Sequence, residues 1–427
     1  MLTESMGGGS MKVGYVLLDG CGDRPVPSLN FTTPLEAANT PNLDRIASRA
    51  KLGYVTTVGK GIAPESDIAV FNMLGYSFGS DYPGRGVVEA VGAGLKLKDG
   101  DLALRANLAS TKGRRIVDRR AGRNLTQAES EALAKEINGI RLSAGTFEYR
   151  ATVSYRGVLV IRADRPLSAE ITNTDPAYTK VGGFGAAKKT TATDSIKQAV
   201  PESKDEGAAL AARLVNEFTT KALKVLDDSA VNRERIHQGK LPANCVLLRD
   251  AGDHLPKLEP FEKRYGMKGT ALVEMPAEVG IADLLGMKKI MVKDRNDMKE
   301  KASLFASGLA EGTIVYVHIK GPDEFGHDGD ARGKKKCIES IDRDFFSAAD
   351  RLDQAKIAVS CDHATPCTLK MHSDDPVPLL ITSESKGDGM RFTEANSKHG
   401  SLGHLDGREV LDLVVRGSVR RRTSSEA

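Results

Sequence analysis

Six residues of only two types stand at the ends of hydrophobic runs in this chain. The run over residues 13–18 stops at Asp19. TIVYVHI is followed by Asp323 and, four residues later, His327. KIAVS leads through Cys361 to Asp362 and His363, and His372 stands just before PVPLLI. Carboxylate mixed with imidazole is the donor set that hard and borderline divalent cations take. The carboxyl edge of an open parallel sheet is where α/β folds bind their ligands. A single Asp after a strand is ordinarily a turn residue or a helix cap, and a single His is ordinarily a satisfied polar group. Six such residues on strand ends exceed what one mononuclear site needs. They point to two neighbouring divalent metals, an arrangement suited to phosphoryl transfer.

Such a site needs a group that attacks phosphorus. In KGIAPESDIAVFNMLGY, Ser66 lies between a Gly/Pro-rich loop and an expected helix over residues 67–74, with Glu65 and Asp67 on either side. Backbone N–H groups at a helix N-terminus can hold a phosphate, and metal coordination makes a serine hydroxyl a usable nucleophile. On its own Ser66 would read as an N-cap; the ligand set elsewhere in the chain makes it the candidate nucleophile.

The elements that must position these residues are legible in outline. Strands are predicted over 13–18, 313–319, 356–360 and 377–382. Helices are predicted over 41–52, with Leu43, Ile46, Ala47 and Ala50 at helical spacing, and over 332–355, with Ile338, Ile341, Phe345, Ala349 and Leu352 on one face. This alternation predicts an α/β fold with a mainly parallel sheet. The middle of the chain differs, with basic stretches, short strands over 151–155 and 158–162, and amphipathic helices over 125–137 and 206–226. We read it as a second α/β domain inserted into the first. The expected division is 11–95 with 280–415 for the metal-binding domain and 96–279 for the insert. Residues 1–10 read as a leader, and 416–427 as a flexible basic tail.

The totals narrow the function classes. A chain of 427 residues is too long for one compact core. With 40% hydrophobic and 28% charged residues it reads as an ordinary soluble protein, and a net charge of +4 gives no reason to expect a nucleic-acid partner. There is no apolar run of membrane-spanning length and no secretory h-region. Five cysteines, an odd number, argue for reduced thiols in a cytoplasm. The glycine-rich segments VGGFGAAKKTT and GRGVVEAVGAGL fit neither nucleotide fingerprint. Composition carries no signal for an oligomeric state.

Several motifs carry a closer likeness. VLLDGCGDRP, APESDIAVFNMLGY, YPGRGVVEAVGAGL, DRRAGRN, HIKGPDEFGHDGD and CDHATPCTLKMHSDDPVP closely resemble the archaeal-type cofactor-independent phosphoglycerate mutases of the alkaline phosphatase superfamily. The likeness runs from Met11 to about Val415. It implies an alkaline-phosphatase-like core interrupted by a phosphotransfer domain. It also implies interconversion of 3-phosphoglycerate and 2-phosphoglycerate through a phosphoserine, without 2,3-bisphosphoglycerate. Spacing supplies the set of metal-ligating residues; their partition is what the resemblance implies. One metal falls to Asp323, His327 and His372. The other falls to Asp19, Asp362 and His363, with Ser66 as ligand and nucleophile. Mn²⁺ is the expected ion, with Zn²⁺, Co²⁺ or Mg²⁺ as alternatives that Asp/His donors also accept. His399 and His404 in SKHGSLGHLDG rank below His372.

For the substrate, the insert offers Arg119, Arg120 and Arg123, whose guanidinium forks suit phosphate and carboxylate. Lys320, just before Gly321-Pro322-Asp323, is placed to neutralise a phosphoryl group, and Arg85 is a weaker candidate. A phosphomonoesterase or another phosphotransferase of the superfamily would use the same core residues and is the alternative reading.

Overall fold

The computed structural model describes residues 11–79, 81–181, 184–187, 194–348 and 355–418. The expected leader, most of the basic tail and most of VGGFGAAKKTT lie outside the described residues. Two compact units are formed: Met1–Tyr82 with Leu258–Glu274 and Leu285–Ala427, and Pro83–Lys257 with Met275–Leu284.

Strands are numbered along the chain. The first unit holds β1 (Lys12–Leu18), β2 (Ala50–Thr56), β10 (Lys268–Val273), β11 (Lys288–Met291), β12 (Thr313–Ile319), β13 (Lys356–Cys361), β14 (Val377–Thr382) and β15 (Gly403–Asp406). They form one sheet in the order β11-β10-β12-β1-β13-β14-β2-β15. All neighbours are parallel except at β14, which runs antiparallel to both β13 and β2. β1 and β12, with KVGYVLL and TIVYVHI, are buried along nearly their whole length. A strand covered on both faces reads as a continuous apolar run, and this is why the outermost polar residue of each run marks the sheet edge.

Register aligns those edges. Leu18 pairs with Ile319 on one side and with Cys361 on the other. Asp19 and Asp362 therefore leave the sheet at the same level, and Asp19 N–H donates to Ile319 O at 2.9 Å. Because β14 is reversed, its beginning, not its end, lies at this edge. His372, which precedes β14 in sequence, is thereby delivered to the ends of strands that run the other way.

Two predicted helices end differently. The helix expected over 41–52 stops at Ser48, and Leu52 belongs to β2. The reason is a change of period: Ala50, Leu52 and Val55 are fully buried in a strand pattern. The helix expected over 332–355 runs from Ala331 to Asp344 and tightens into a 3-10 turn at Phe346–Ala348. Phe345 and Phe346 are both buried there. Residues 349–354 of that prediction lie outside the described residues.

The second unit is built on an antiparallel sheet of β3 (Leu102–Lys112), β4 (Arg115–Asp118), β5 (Thr146–Ala151), β6 (Arg156–Arg162) and β9 (Cys245–Gly252), with β3 at its centre. A hairpin of β7 (Tyr178–Val181) and β8 (Phe184–Ala187) stands apart from it. Helices Gln127–Ile137 and Glu206–Asp227 cover the sheet, putting Leu133, Ile137, Leu214 and Phe218 into one core with Leu104 and Leu159. Of the strand predicted over 151–155, Ala151 ends β5 and 152–155 are the β5–β6 turn. Ser154 takes φ +56° there, and Thr152 N–H closes the turn on Arg156 O. The helix Pro276–Leu284 also belongs to this unit.

Candidate metal centre and nucleophile

Two groups of donors meet at the sheet edge of the first unit. Asp323, His327 and His372 form one, and Asp19, Asp362 and His363 form the other; within each, the donor atoms lie within 4.8 Å of one another. The helix Pro322–Asp328 puts Asp323 and His327 one turn apart on one face, with His327 Nε2 3.5 Å from Asp323 Oδ2. His372 Nε2 completes that group at 3.4 Å from Asp323 Oδ1 and 3.2 Å from His327 Nε2. In the second group His363 Nε2 lies 3.6 Å from Asp19 Oδ1 and 3.3 Å from Asp362 Oδ2.

Ser66 opens the helix Ser66–Met73, but Glu65 is the N-cap residue and caps nothing with its side chain. The serine hydroxyl is turned to the second group instead, with Oγ 3.3 Å from Asp19 Oδ1 and 3.1 Å from His363 Nε2. It is not the capping serine that its position alone would suggest.

The donors are prepared for a cation. His372 Nδ1–H donates to Pro64 O at 2.8 Å and His327 Nδ1–H to Lys370 O at 3.2 Å. Carbonyls only accept, so both Nδ1 atoms carry a proton and each ring turns Nε2, the atom that would ligate a cation, toward Asp323. Anchoring the distal ring nitrogen is how proteins orient metal-ligating histidines. Lys370 holds its carbonyl in place with φ +58°, a conformation non-glycine residues rarely adopt. Asp362 Oδ2 is buried without a hydrogen-bond donor of good geometry. His318 Nε2 at 3.1 Å and His363 Nε2 at 3.3 Å are the groups that face it.

The electrostatics agree. Burial raises the Asp19 carboxyl, with Lys320 opposing it and Asp362 adding to it. Burial also works to raise Asp323, but the hydrogen bond to His372 and the charges of His363, His372 and His327 hold it well below the usual carboxylate range. Burial lowers His363, keeping it neutral. His372 is lowered by burial but raised more by Asp323 and Glu65, to about 9. Two clusters side by side, each mixing carboxylate with imidazole, offer donor sets that fit a pair of divalent cations.

The sequence reading missed two buried groups here. His318, the sixth residue of TIVYVHI, is buried, with Nε2 3.1 Å from Asp362 Oδ2 and 3.7 Å from Asp19 Oδ1. The signal was a lone histidine inside an otherwise apolar strand. Lys334 is fully buried against Asp23, with Nζ 2.8 Å from Asp23 Oδ2 and also donating to Gly22 O and Thr365 O. It ties the loop after β1 to the loop after β13. Lys334 sits in a run of three lysines, GKKKC, that reads as a solvated face, so nothing local distinguished it.

Other candidates fall elsewhere. Lys320 Nζ lies 3.3 Å from Asp19 Oδ2, at the donor cluster. His404 Nε2 meets Thr56 Oγ1 at 2.8 Å and its ring stacks on Tyr54; neither it nor His399 joins either donor group. Arg85, Arg119, Arg120 and Arg123 belong to the second unit. Arg119 Nε donates to Asp175 Oδ1 at 2.9 Å, with Nη2 on the second carboxylate oxygen. Arg85 Nε bonds Glu89 Oε1 at 2.9 Å. Arg123 is exposed with φ +55°, and Arg120 is half-buried. Sequence reading also passed over a buried charge network in that unit, in which Arg105 pairs with Glu89 and Asp250, and Arg249 with Asp175 and Asp250. Its signal was a single arginine inside each of LALRANLA and CVLLRDAG.

The fold and the site together define an α/β protein with paired carboxylate-imidazole clusters, and a serine against one of them, at the carboxyl edge of a mainly parallel sheet. Comparison with known proteins narrows this class. A 2,3-bisphosphoglycerate-independent phosphoglycerate mutase family profile matches residues 47–232. A protein of that name from Aeropyrum pernix is 44% identical over 418 residues, covering 93% of this chain and 97% of its own. One from Methanopyrus kandleri is 38% identical over 417 residues, covering 94% and 95%. The solved cofactor-independent phosphoglycerate mutase from Thermoplasma acidophilum superposes with a TM-score of 0.62 at 31% identity, over 95% of this chain and 98% of that one. The chain belongs to the family of 2,3-bisphosphoglycerate-independent phosphoglycerate mutases.

Proposed function

We propose that the protein interconverts 3-phosphoglycerate and 2-phosphoglycerate without 2,3-bisphosphoglycerate, passing the phosphoryl group through Ser66. The observation that carries this reading is the meeting of Ser66 Oγ with the Asp19, Asp362 and His363 cluster, beside the Asp323, His327 and His372 cluster. Each cluster is proposed to hold one divalent cation, with Mn²⁺ first among the candidates and Ser66 a further ligand of the second. When bound, the cations supply Lewis acidity that acidifies a hydroxyl and neutralises phosphoryl charge.

The chain's own residues do the rest. Ser66 Oγ attacks phosphorus as the bond to the glycerate oxygen breaks, and the phosphoryl group rests on the serine. Asp19 Oδ1 stands within reach of the serine proton. Lys320, beside Asp19, adds positive charge where phosphoryl oxygens bind. The other hydroxyl of glycerate then attacks the phosphoserine as the bond to Ser66 Oγ breaks, and in each step the proton of the attacking hydroxyl passes to the oxygen that leaves. Arg119, Arg120, Arg123 and Arg85 are the proposed partners of the substrate's anionic groups; Arg119 would serve through a guanidinium already aligned by Asp175. A reducing, cytoplasmic setting is supported by five free thiols, and no described helix is long and apolar enough to cross a membrane.

The test is an assay of 3-phosphoglycerate with Mn²⁺ and no bisphosphoglycerate, following 2-phosphoglycerate and free phosphate together, with Ser66→Ala and a chelator as controls. Isomer without phosphate, lost in both controls, is the expected result. Phosphate without isomer would move the activity to hydrolysis.

A further inference from the structure

Thr365 stands between the two donor clusters and touches both. Its hydroxyl lies 2.6 Å from Asp323 Oδ1, in the first cluster, and 3.1 Å from His363 Nδ1, in the second. The residue is fully buried. Its backbone is pinned on both sides, with N–H donating to Gly22 O and the carbonyl accepting from the buried Lys334 ammonium, so its position is set before any ligand binds. Gly20, at φ +56°, passes so close that a Cβ there would meet Thr365 Oγ1 and Asp323 Oδ1 at 2.6 Å each.

A hydroxyl has one proton to give and two lone pairs with which to accept. An ionised carboxylate only accepts, so the proton of Thr365 is committed to Asp323. His363 Nδ1 must then be the donor in the remaining contact. We propose that Thr365 is a positioning residue that holds His363 as its Nδ1–H tautomer and couples the two clusters through a single hydroxyl. The chain is His363 Nδ1–H to Thr365 O–H to Asp323. It leaves His363 Nε2 as a lone pair toward Ser66, whose one proton then goes to Nε2 at 3.1 Å while Asp19 Oδ1 stands 3.3 Å from the same oxygen. All three histidines of the site then follow one plan, but only His363 is oriented by a side chain, and that side chain also orders a donor of the other cluster. This inference rests on the proposed metal-binding role of the clusters.

The experiment compares wild type, Thr365→Val and Thr365→Ser. Imidazole ¹⁵N NMR of the metal-free proteins reads the His363 tautomer, and calorimetry with Zn²⁺ reads affinity. Wild type and the Ser variant should show His363 as Nδ1–H. The Val variant, which keeps the shape but not the hydroxyl, should lose that preference and bind Zn²⁺ roughly 10–100-fold more weakly, with Ser restoring most of the loss. Wild-type tautomer and affinity in the Val variant would overturn the proposal, as would a Ser variant no better than Val. If the Val variant fails to fold, wild-type spectra decide alone, and His363 found as Nε2–H would overturn it. A wild-type protein that binds no Zn²⁺ or Mn²⁺ would sink the metal reading itself, while the tautomer spectrum would still settle the hydrogen-bond chain.

Discussion

In the proposed mechanism Ser66 is the residue on which the chemistry turns. It lies within hydrogen-bonding reach of Asp19 and His363 but caps no helix, so its removal should cost activity and little stability. Ser66→Ala is expected to lower kcat by roughly 10⁴-fold or more, the scale of losing a nucleophile, while its urea midpoint stays close to wild type. Acid-quenched wild-type protein should retain ³²P from labelled substrate, and the variant none. A variant that keeps substantial isomerase activity would remove Ser66 from the mechanism. The histidines were legible as residue types, but their orientation was not: the carbonyls that hold Nδ1 of His372 and His327 lie 308 and 43 residues away, and Thr365, two residues from His363, is itself fixed by Asp323, 42 residues away.

At the scale of elements, the loop after β1 carries the tightest constraint. Gly20 combines φ +56° with contact against Asp323 and Thr365. Gly20→Ala should therefore destabilise the protein by about 1–3 kcal/mol and also weaken Mn²⁺ binding, read by urea denaturation and by metal titration. A variant destabilised with unchanged metal affinity would show that the loop relaxes away from the donors. The helix Pro322–Asp328, which the sequence reading did not include, places Asp323 and His327 one turn apart. The contribution of His372 depends instead on β14 running against its neighbours, and the apolar run PVPLLI is equally good in either direction.

Two predictions belong to the whole molecule. The clusters exist only in the folded chain, so a cation bound there stabilises folding by mass action. Mn²⁺ at about 100 times its Kd should add roughly 2.7 kcal/mol, lost on chelation, and an unchanged Tm would contradict the donor sets as metal sites. The second concerns Glu394, whose carboxylate accepts from Thr33 Oγ1 and Asp23 N–H. Burial raises it to about 7 despite the bond from Thr33. An unfolded glutamate titrates near ~4.3, so between these values the folded state holds more protons than the unfolded state. The stabilisation is complete below ~4.3 and is lost as pH rises through about 7. Stability of the wild type should fall with pH across that window more than that of Glu394→Gln; parallel pH profiles from urea denaturation would count against a raised carboxyl.

What the sequence determined by itself was the chemistry available and its local placement. The apolar runs ending in Asp19, Asp323 and Asp362 announced both a parallel sheet and donors on its edge. Both follow from short-range periodicity, which a linear chain displays. Tertiary structure alone decided which donors share a cluster, because that depends on strand order and on the register that sets Leu18 opposite both Ile319 and Cys361. It alone exposed the buried Lys334–Asp23 pair, which joins residues 311 apart. His318 and Thr365 likewise gain their roles from the groups packed around them, and burial among distant partners leaves no mark on local pattern.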